Sequence, residues 1–401
     1  CLLTLENSDF LRKWGFKSSE EQSKVHKTEK INKIEFVKGM ESLAKIAKDK
    51  NTFSYVEKNR EMFKRTNIKD FQLLFDKNND KRFLLLDMEG KLFAVNEQGD
   101  EMKDSHIIKD APPLTGIVLS KDRRWLAGIS KEDGSVFLMN CEKPDSGWKK
   151  IIDKTILGAC YSDDGFRQII FSPDSKELVA SFFGRFYFFS TVAMKVILST
   201  DRIPLKGAGD SITYSNDGRF LFSFGNGKIT VHDNINKTLF QNIKVPNFCG
   251  SGSDPYYDTE IVALKRGLGK DENNKAFVVA SDDSTLRFYQ FSEETQEFKQ
   301  IYVVSPNEFK QLYGRFLYHF EGNHHGKLAI SDDEKHLYVV FPDRGNEIRI
   351  YDMDEIRRNI DSIPERWKKE SMDELTGLKY VPGKGISILD RNYMVEPKTS
   401  K

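Results

Sequence analysis

The chain has 401 residues and a formal net charge of +1, with 62 Lys and Arg set against 61 Asp and Glu. That balance gives no global field to draw the protein toward nucleic acid or an anionic membrane, so neither is an expected partner. No run approaches the ~20 apolar residues of a membrane helix, and no charged-apolar-small leader opens the chain, so no membrane span is expected.

Aromatic residues make up 12% of the chain, with 30 Phe beside an ordinary 27 Gly and 12 Pro, a composition that suits many short strands. Cys1, Cys141, Cys160 and Cys249 lie far apart with no CxxC pair, which points to free thiols in a reducing compartment. A cytoplasmic location follows as the expectation. A chain beginning with Cys1 rather than Met is trimmed or processed, and the alternative is a lipid-anchored bacterial envelope protein.

In chain order, Leu2–Leu5 and Phe10–Trp14 read as strands around an Asn-Ser-Asp turn, half of a repeat without its beginning. The Ser, Glu and Lys residues of 17–30 read as a solvated connector. Four short strands follow at 34–37, 43–46, 53–56 and near Met62-Phe63. A second unit has strands at 71–75, 82–86 and 92–95, and a third runs from Leu114 through Trp125–Ile129 and Val136–Met139. Residues 142–165 read as an insertion.

The fourth unit carries Phe171-Ser172-Pro173-Asp174-Ser175 before Leu178 and then Arg185–Phe189, and the fifth carries Tyr214-Ser215-Asn216-Asp217-Gly218 before Phe220, ending at Val231-His232-Asp233. A sixth spans 259–289, and a seventh holds Ile330-Ser331-Asp332-Asp333, Leu337–Phe341 and Ile348–Asp352. Residues 378–390 repeat the first half of a unit. Pro173 presets φ and the Asp residues tolerate turn geometry, so the Ser-x-Asp stretches are turns between first and second strands.

Turns recur every 40 to 65 residues or so, close to the period of propeller blades once inserts are subtracted. With its Ser-x-Asp turns, Asp-Gly and Asp-Asp-Ser turns, and strand ends at His232-Asp233 and Tyr351-Asp352, the chain resembles the WD-repeat propellers. His232 and Tyr351 stand where Trp is usual. The run 331–340 is equally similar to the lactonase-type and TolB-type propellers. The resemblance implies an all-β chain, one domain over 1–401. Its four-stranded blades number eight, or seven if one degenerate unit is not a blade. A closing blade is shared by 1–16 and 375–395, with helical inserts at 305–320 and 354–374.

Candidate chemistry is sparse. His319, Glu321, His324 and His325 gather metal-type donors but lack any recognised ligand spacing, and read as a polar loop, so neither metal nor cofactor is expected. No nucleophile elbow or phosphate-binding loop occurs, and Gly225-Asn226-Gly227 is a hairpin turn. Ser305-Pro306-Asn307-Glu308 is a capping box that opens a helix with Phe309, Tyr313 and Phe316 on one face. The Gly- and Tyr-containing loop 247–258 suits an ordered connector or a binding loop.

If each blade runs outward from first to fourth strand, the second-to-third turns share one rim. Asp49, Glu89, Glu132, Arg185, Asn226, Asp283 and Arg344 would gather there, beside the aromatic helix and the 247–258 loop. The expected function is a non-catalytic scaffold or sensor that binds a protein or peptide through this rim. The alternative is a metal-dependent lactonase-like or hydrolase-type enzyme.

Overall fold

The structure is a computed structural model. It describes residues 23–27, 31–36, 42–47, 51–57, 60–75, 81–102, 110–143, 146–153, 155, 168–182, 185–199, 211–225, 228–245, 260–268, 275–280, 286–304, 327–331, 333–340, 347–362, 378–381 and 385–388.

Alternating apolar residues and closely spaced turn residues make each segment fold back on the last, so sheets form from consecutive antiparallel strands. These are β2 to β5 (Ile31–Phe36, Ser42–Ala47, Thr52–Glu57, Arg60–Arg65) and β6 to β8 (Ile68–Phe75, Lys81–Asp87, Leu92–Asn96). Next come β9 to β12 (Leu114–Leu119, Trp125–Ser130, Val136–Asn140, Lys149–Ile152) and β13 to β16 (Gln168–Phe171, Glu177–Phe182, Arg185–Ser190, Lys195–Ser199). Then follow β17 to β20 (Ser211–Tyr214, Phe220–Gly225, Lys228–Asp233, Thr238–Lys244) and β21 to β24 (Glu260–Leu264, Ala276–Ala280, Leu286–Ser292, Glu297–Val304). The last sheet combines β25 to β27 (Lys327–Ile330, His336–Val340, Glu347–Asp352) with β1 (Ser23–Lys27) as its outermost strand.

First strands pack against first strands of neighbouring sheets, β6 on β9, β9 on β13, β13 on β17, β17 on β21, β21 on β25 and β25 on β2, which makes the sheets a β-propeller. Six of them are four-stranded blades, which corrects the expectation of eight or seven. The sheet β6–β7–β8, set between β2–β5 and β9–β12, has three strands, with Glu101 bridging Val95 where a fourth would run. The hairpin β28–β29 (Leu378–Val381, Gly385–Ile388) is a sheet of two. Its expected partner at 1–16 lies outside the described residues, as do the helix at 305–320 and the 247–258 loop.

Two segments read as connectors are strands. The stretch at 17–30 contains β1, which pairs with β27 from Ser23↔Tyr351 to Lys27↔Glu347 and so joins the N-terminal part of the chain to the C-terminal part. The stretch at 142–165 contains β12. Both are outer strands held by backbone hydrogen bonds to one neighbour, and their lysines suit a solvent-facing edge more than a core.

Apolar side chains fill layers between neighbouring sheets. Between the fifth and sixth sheets in chain order, Phe222 lies 4.5 Å from Phe277 and 5.1 Å from Phe298, centroid to centroid, with Phe220 and Phe291 packed alongside. Phe53, Phe71 and Phe83 do the same between the first two. These two interlayers are closed by rings that meet tilted or edge-on, which accounts for much of the Phe, whereas the layer between the second and third sheets is aliphatic, built from residues such as Leu84, Leu114 and Leu126.

Side chains also cover backbone edges that no strand pairs. Asp70 Oδ2 accepts from Ile117 N at 2.9 Å, while Gln72 donates to Ile117 O and accepts from Leu119 N. Gln168 accepts from Ile212 N at 2.7 Å and Ser211 from Ile261 N at 3.1 Å. At these three junctions a first strand thus satisfies the next one's exposed amides.

The expected insert at 354–374 begins with α1 (Met353–Ser362), which is part of the core rather than an appendage. Met353, Ile356 and Ile360 are buried with Leu264, Leu268, Leu337 and Tyr351. On the same helix, buried Arg357 meets buried Glu334 at 3.2 Å. Glu334 also accepts from the backbone amides of Lys265 and Arg266, and Arg357 donates to Gly267 O. These bonds tie α1 to the connection between the first and second strands of the preceding blade.

His232, at the usual Trp position, is 2% exposed, packs edge-on against Phe186, and its Nε2 finds no hydrogen-bond partner among the described residues. Burial lowers its pKa to about 4. A His whose native pKa lies below its unfolded one contributes stability that is fully present above about pH 6.5 and lost as pH falls toward the native value, by roughly 3 kcal/mol. His232→Phe is expected to flatten the slope of unfolding free energy between pH 6.5 and 4 in urea titrations. An unchanged slope would show that His232 is not the group that titrates.

The Ser-x-Asp turns repeat atom for atom. Ser120, Ser172, Ser215 and Ser331 donate from Oγ to Asp122, Asp174, Asp217 and Asp333 at 2.6–2.7 Å. The same hydroxyls accept from the amides of Trp125, Glu177, Phe220 and His336 at 2.9–3.0 Å. Ser215→Ala removes both bonds of a buried hydroxyl and should cost about 1–2 kcal/mol in chemical denaturation. A loss below ~0.5 kcal/mol would contradict that role.

Candidate functional site

Two of the sequence-predicted rim residues come together through a lysine. Glu89 lies in the second-to-third turn of the three-stranded sheet, where Asp87 Oδ1 accepts from Glu89 N at 2.9 Å and Lys91 N at 2.8 Å. Glu132 lies in the matching turn of the next blade, where Ser130 Oγ accepts from Glu132 N at 3.2 Å. Asx- and Ser-type bonds of this kind stabilise tight turns without a core. Lys131, beside Glu132, reaches back so that its Nζ donates to Met88 O at 3.1 Å and Glu89 O at 3.2 Å.

Backbone bonds lock the same region. Leu114 N donates to Gly90 O at 2.9 Å and Lys131 N to Pro113 O at 2.7 Å, so the chain entering the third sheet passes between the two turns. Gly90 has φ +94°, and a Cβ there would sit 2.8 Å from Leu114 O, so both the conformation and the close approach require glycine. At this junction the second-to-third turns lie beside the connection between the sheets.

Charges of both signs face solvent here. Glu89, Lys131 and Glu132 are exposed, with Met88 43% exposed beside them. Lys69, the second residue of β6, has its pKa lowered by desolvation and then by the Lys131 ammonium, while Asp70 acts in the opposite direction. Asp133 is held well below the usual carboxylate range. Its partial burial would raise it, but donors from Lys150 at 2.7 Å, Ser135 N and two serine hydroxyls outweigh that effect. This pairing fixes the outer strand β12 to the turn.

Arg185 opens β15 opposite Phe182, at the corresponding turn of its blade. Asp49, Asn226, Asp283, Arg344, Phe309, Tyr313 and Phe316 lie outside the described residues, as does the cluster His319, Glu321, His324 and His325. Among the described residues, no group of three or more His, Cys, Asp and Glu could hold a metal ion. Cys141 is a free thiol whose pKa is pushed up to about 12 by burial and by the Asp122 and Glu142 charges, so it is protonated at neutral pH. No helix among the described residues is long and apolar enough to cross a membrane.

Lys131 escaped the sequence reading. Its position before Glu132-Asp133-Gly134 marks a turn, but its bonds are made to the neighbouring sheet, which no local pattern reports.

No protein-family model matches the chain, and no curated protein sequence matches it significantly. Among solved structures, the chain is similar to the β-propeller domain of Cps50 (Swd1) from Myceliophteria thermophila. The two are 12% identical with a TM-score of 0.50, over 82% of this chain and 98% of that one. At this identity the likeness establishes the propeller fold alone.

Lys131→Met should release the Met88 and Glu89 carbonyls. Amide exchange across 88–91 is expected to quicken in hydrogen–deuterium exchange, with less than ~1 kcal/mol lost from global stability. Unaltered exchange would show that the lysine bridge does not hold the turn.

Proposed function

We propose that the protein is a non-catalytic, WD-repeat-like interaction scaffold that binds a protein or peptide partner through the rim of second-to-third turns. The observation that carries this reading is the pairing of adjacent turns at Glu89 and Glu132. Both present exposed carboxylates from backbone fixed by Asp87, Ser130 and Lys131. A rigid frame with exposed charged tips loses little entropy on binding and selects partners by charge complementarity. Met88, half-exposed next to Glu89, supplies adaptable apolar contact.

Arg185, and in the same scheme Asp49, Asn226, Asp283 and Arg344, would extend the surface around the ring. Phe309, Tyr313 and Phe316 would add an aromatic ridge to it.

Affinity capture from native cells with quantitative mass spectrometry tests the proposal. The double variant Glu89→Lys, Glu132→Lys should reduce recovery of the wild-type partner at least ~10-fold, a change of about 1.4 kcal/mol, with the melting curve unchanged. Full recovery with the double variant would overturn this rim as the binding surface.

A further inference from the structure

The fourth strands of the blades end each sheet, and their free edges are treated differently around the ring. In β5, β12, β16, β20 and β24 the ladder slips by one residue, leaving Met62, Ile151, Ile197, Phe240 and Ile301 without a cross-strand partner. Phe240, Ile151 and Ile301 turn inward against the interlayer clusters. Ile197 is 48% exposed.

The residue before this bulge is charged or polar in three of these strands, Glu61, Lys150 and Gln300, and aliphatic in two, Leu239 in β20 at 48% and Val196 in β16 at 40% exposure; β16 alone follows it with an exposed aliphatic residue in the bulge itself, Ile197. The edge of β24 is covered, because Gln241 of the preceding blade donates to Phe298 O at 3.1 Å and accepts from Phe298 N at 2.8 Å. Among the described residues, no strand is paired with the outer side of β16, although β12 of the preceding blade packs near it. Lysines of the kind that blunt an edge lie on β12 as Lys149 and Lys150, whereas β16 carries Lys195 alone beside two exposed aliphatic residues.

The apolar surface extends beyond the strand. Val192 is 74% and Met194 41% exposed in the turn that leads into β16, and Ile235 is 73% exposed in the matching turn of the next blade. That second turn is held against the first blade by Lys237, whose Nζ lies 2.7 Å from both Glu177 oxygens and 4.2 Å from the Phe188 ring centroid.

Charge selects the occupant. Glu177, Ser190 and Lys195 lie in line across β14, β15 and β16, but Glu177 is already occupied by Lys237. Lys176 meets Asp174 at 3.6 Å. Lys195 has no ion-pair partner among the described residues, so the net charge left at this edge is positive. We propose that the edge of β16 takes up an extended peptide segment with an acidic residue among apolar ones, adding it as a fifth strand. Its backbone would satisfy the open edge of β16, its apolar side chains would cover Val196 and Ile197, and its carboxylate would meet Lys195. This surface is distinct from the turn rim.

The test uses two fluorescein-labelled decapeptides of alternating residues, Asp-Val and Lys-Val, titrated with the whole protein by fluorescence anisotropy. The acidic peptide should bind saturably in the micromolar range and at least ~10-fold tighter than the basic one. Ile197→Lys should weaken it at least ~10-fold, and Lys195→Glu should reverse the preference between peptides. The variant Glu89→Lys, Glu132→Lys should bind like wild type, which separates this edge from the rim. The proposal is overturned by absence of saturable binding, by equal affinity for both peptides, or by indifference to Ile197→Lys and Lys195→Glu. It is also overturned if sedimentation reveals a dimer that Ile197→Lys dissociates, which would assign the edge to a second copy of the chain.

Discussion

One hydrogen-bonded turn underlies the blades. In its four copies a serine hydroxyl bonds both an aspartate and the amide that starts the next strand, and the aspartate accepts from a second amide, of Arg124, Lys176, Arg219 or Lys335, at 3.1 Å. The residue between them takes a left-handed φ, +61° at Arg123 and Ser175, +74° at Gly218 and +53° at Glu334. The carbonyls of Arg124, Lys176, Arg219 and Lys335 then accept from Cys141, Thr191, Asn234 and Met353, the residues that follow the third strands. One side-chain pair thereby sets the register of three strands. The carboxylates share in the stabilisation, since Asp174, Asp217 and Asp333 are all held below their usual range. Burial opposes this at Asp174 and Asp217 and is outweighed by hydroxyl and amide donors, while at Asp333 the Ser331 hydroxyl is the largest influence. Their contribution is present above the unfolded carboxylate range and lost as pH falls through the native values.

This turn was legible in the sequence because it is local. Serine and aspartate recur two positions apart, and the apolar strands on either side alternate. Apart from β5, which Met62 and Phe63 marked, the outer strands were not legible. A fourth strand needs only backbone pairing on one side, so β1, with Val25 as its single aliphatic residue, and β12, four residues long, resemble polar loops. The blade count failed for the same reason. The unit at 68–96 was credited with a full blade on the strength of three good strands, and the lysine-rich stretch that holds β1 was passed over as a connector.

The candidate site was partly legible. Glu89 and Glu132 stand in second-to-third turns of adjacent sheets, a position that follows from strand order. What joins them depends on the neighbouring sheet, through Lys131 and the close approach at Gly90. Glu334 shows the same limit. Its place in a Ser-x-Asp turn is local, but its burial against Arg357 comes from α1, whose apolar residues read as a surface excursion until the packing partner was seen. On the proposed function, the two ends of the strands divide the work, the Ser-x-Asp turns setting register and the turns at Glu89 and Glu132 presenting exposed tips.

That division is tested most directly by hydrogen–deuterium exchange on the protein alone and in complex with its captured partner. The account predicts that protection on binding concentrates at 87–91 and 130–135, with the turns 120–124, 172–176 and 215–219 unchanged. Protection of those Ser-x-Asp turns instead, with 87–91 and 130–135 exchanging as in the free protein, would contradict it.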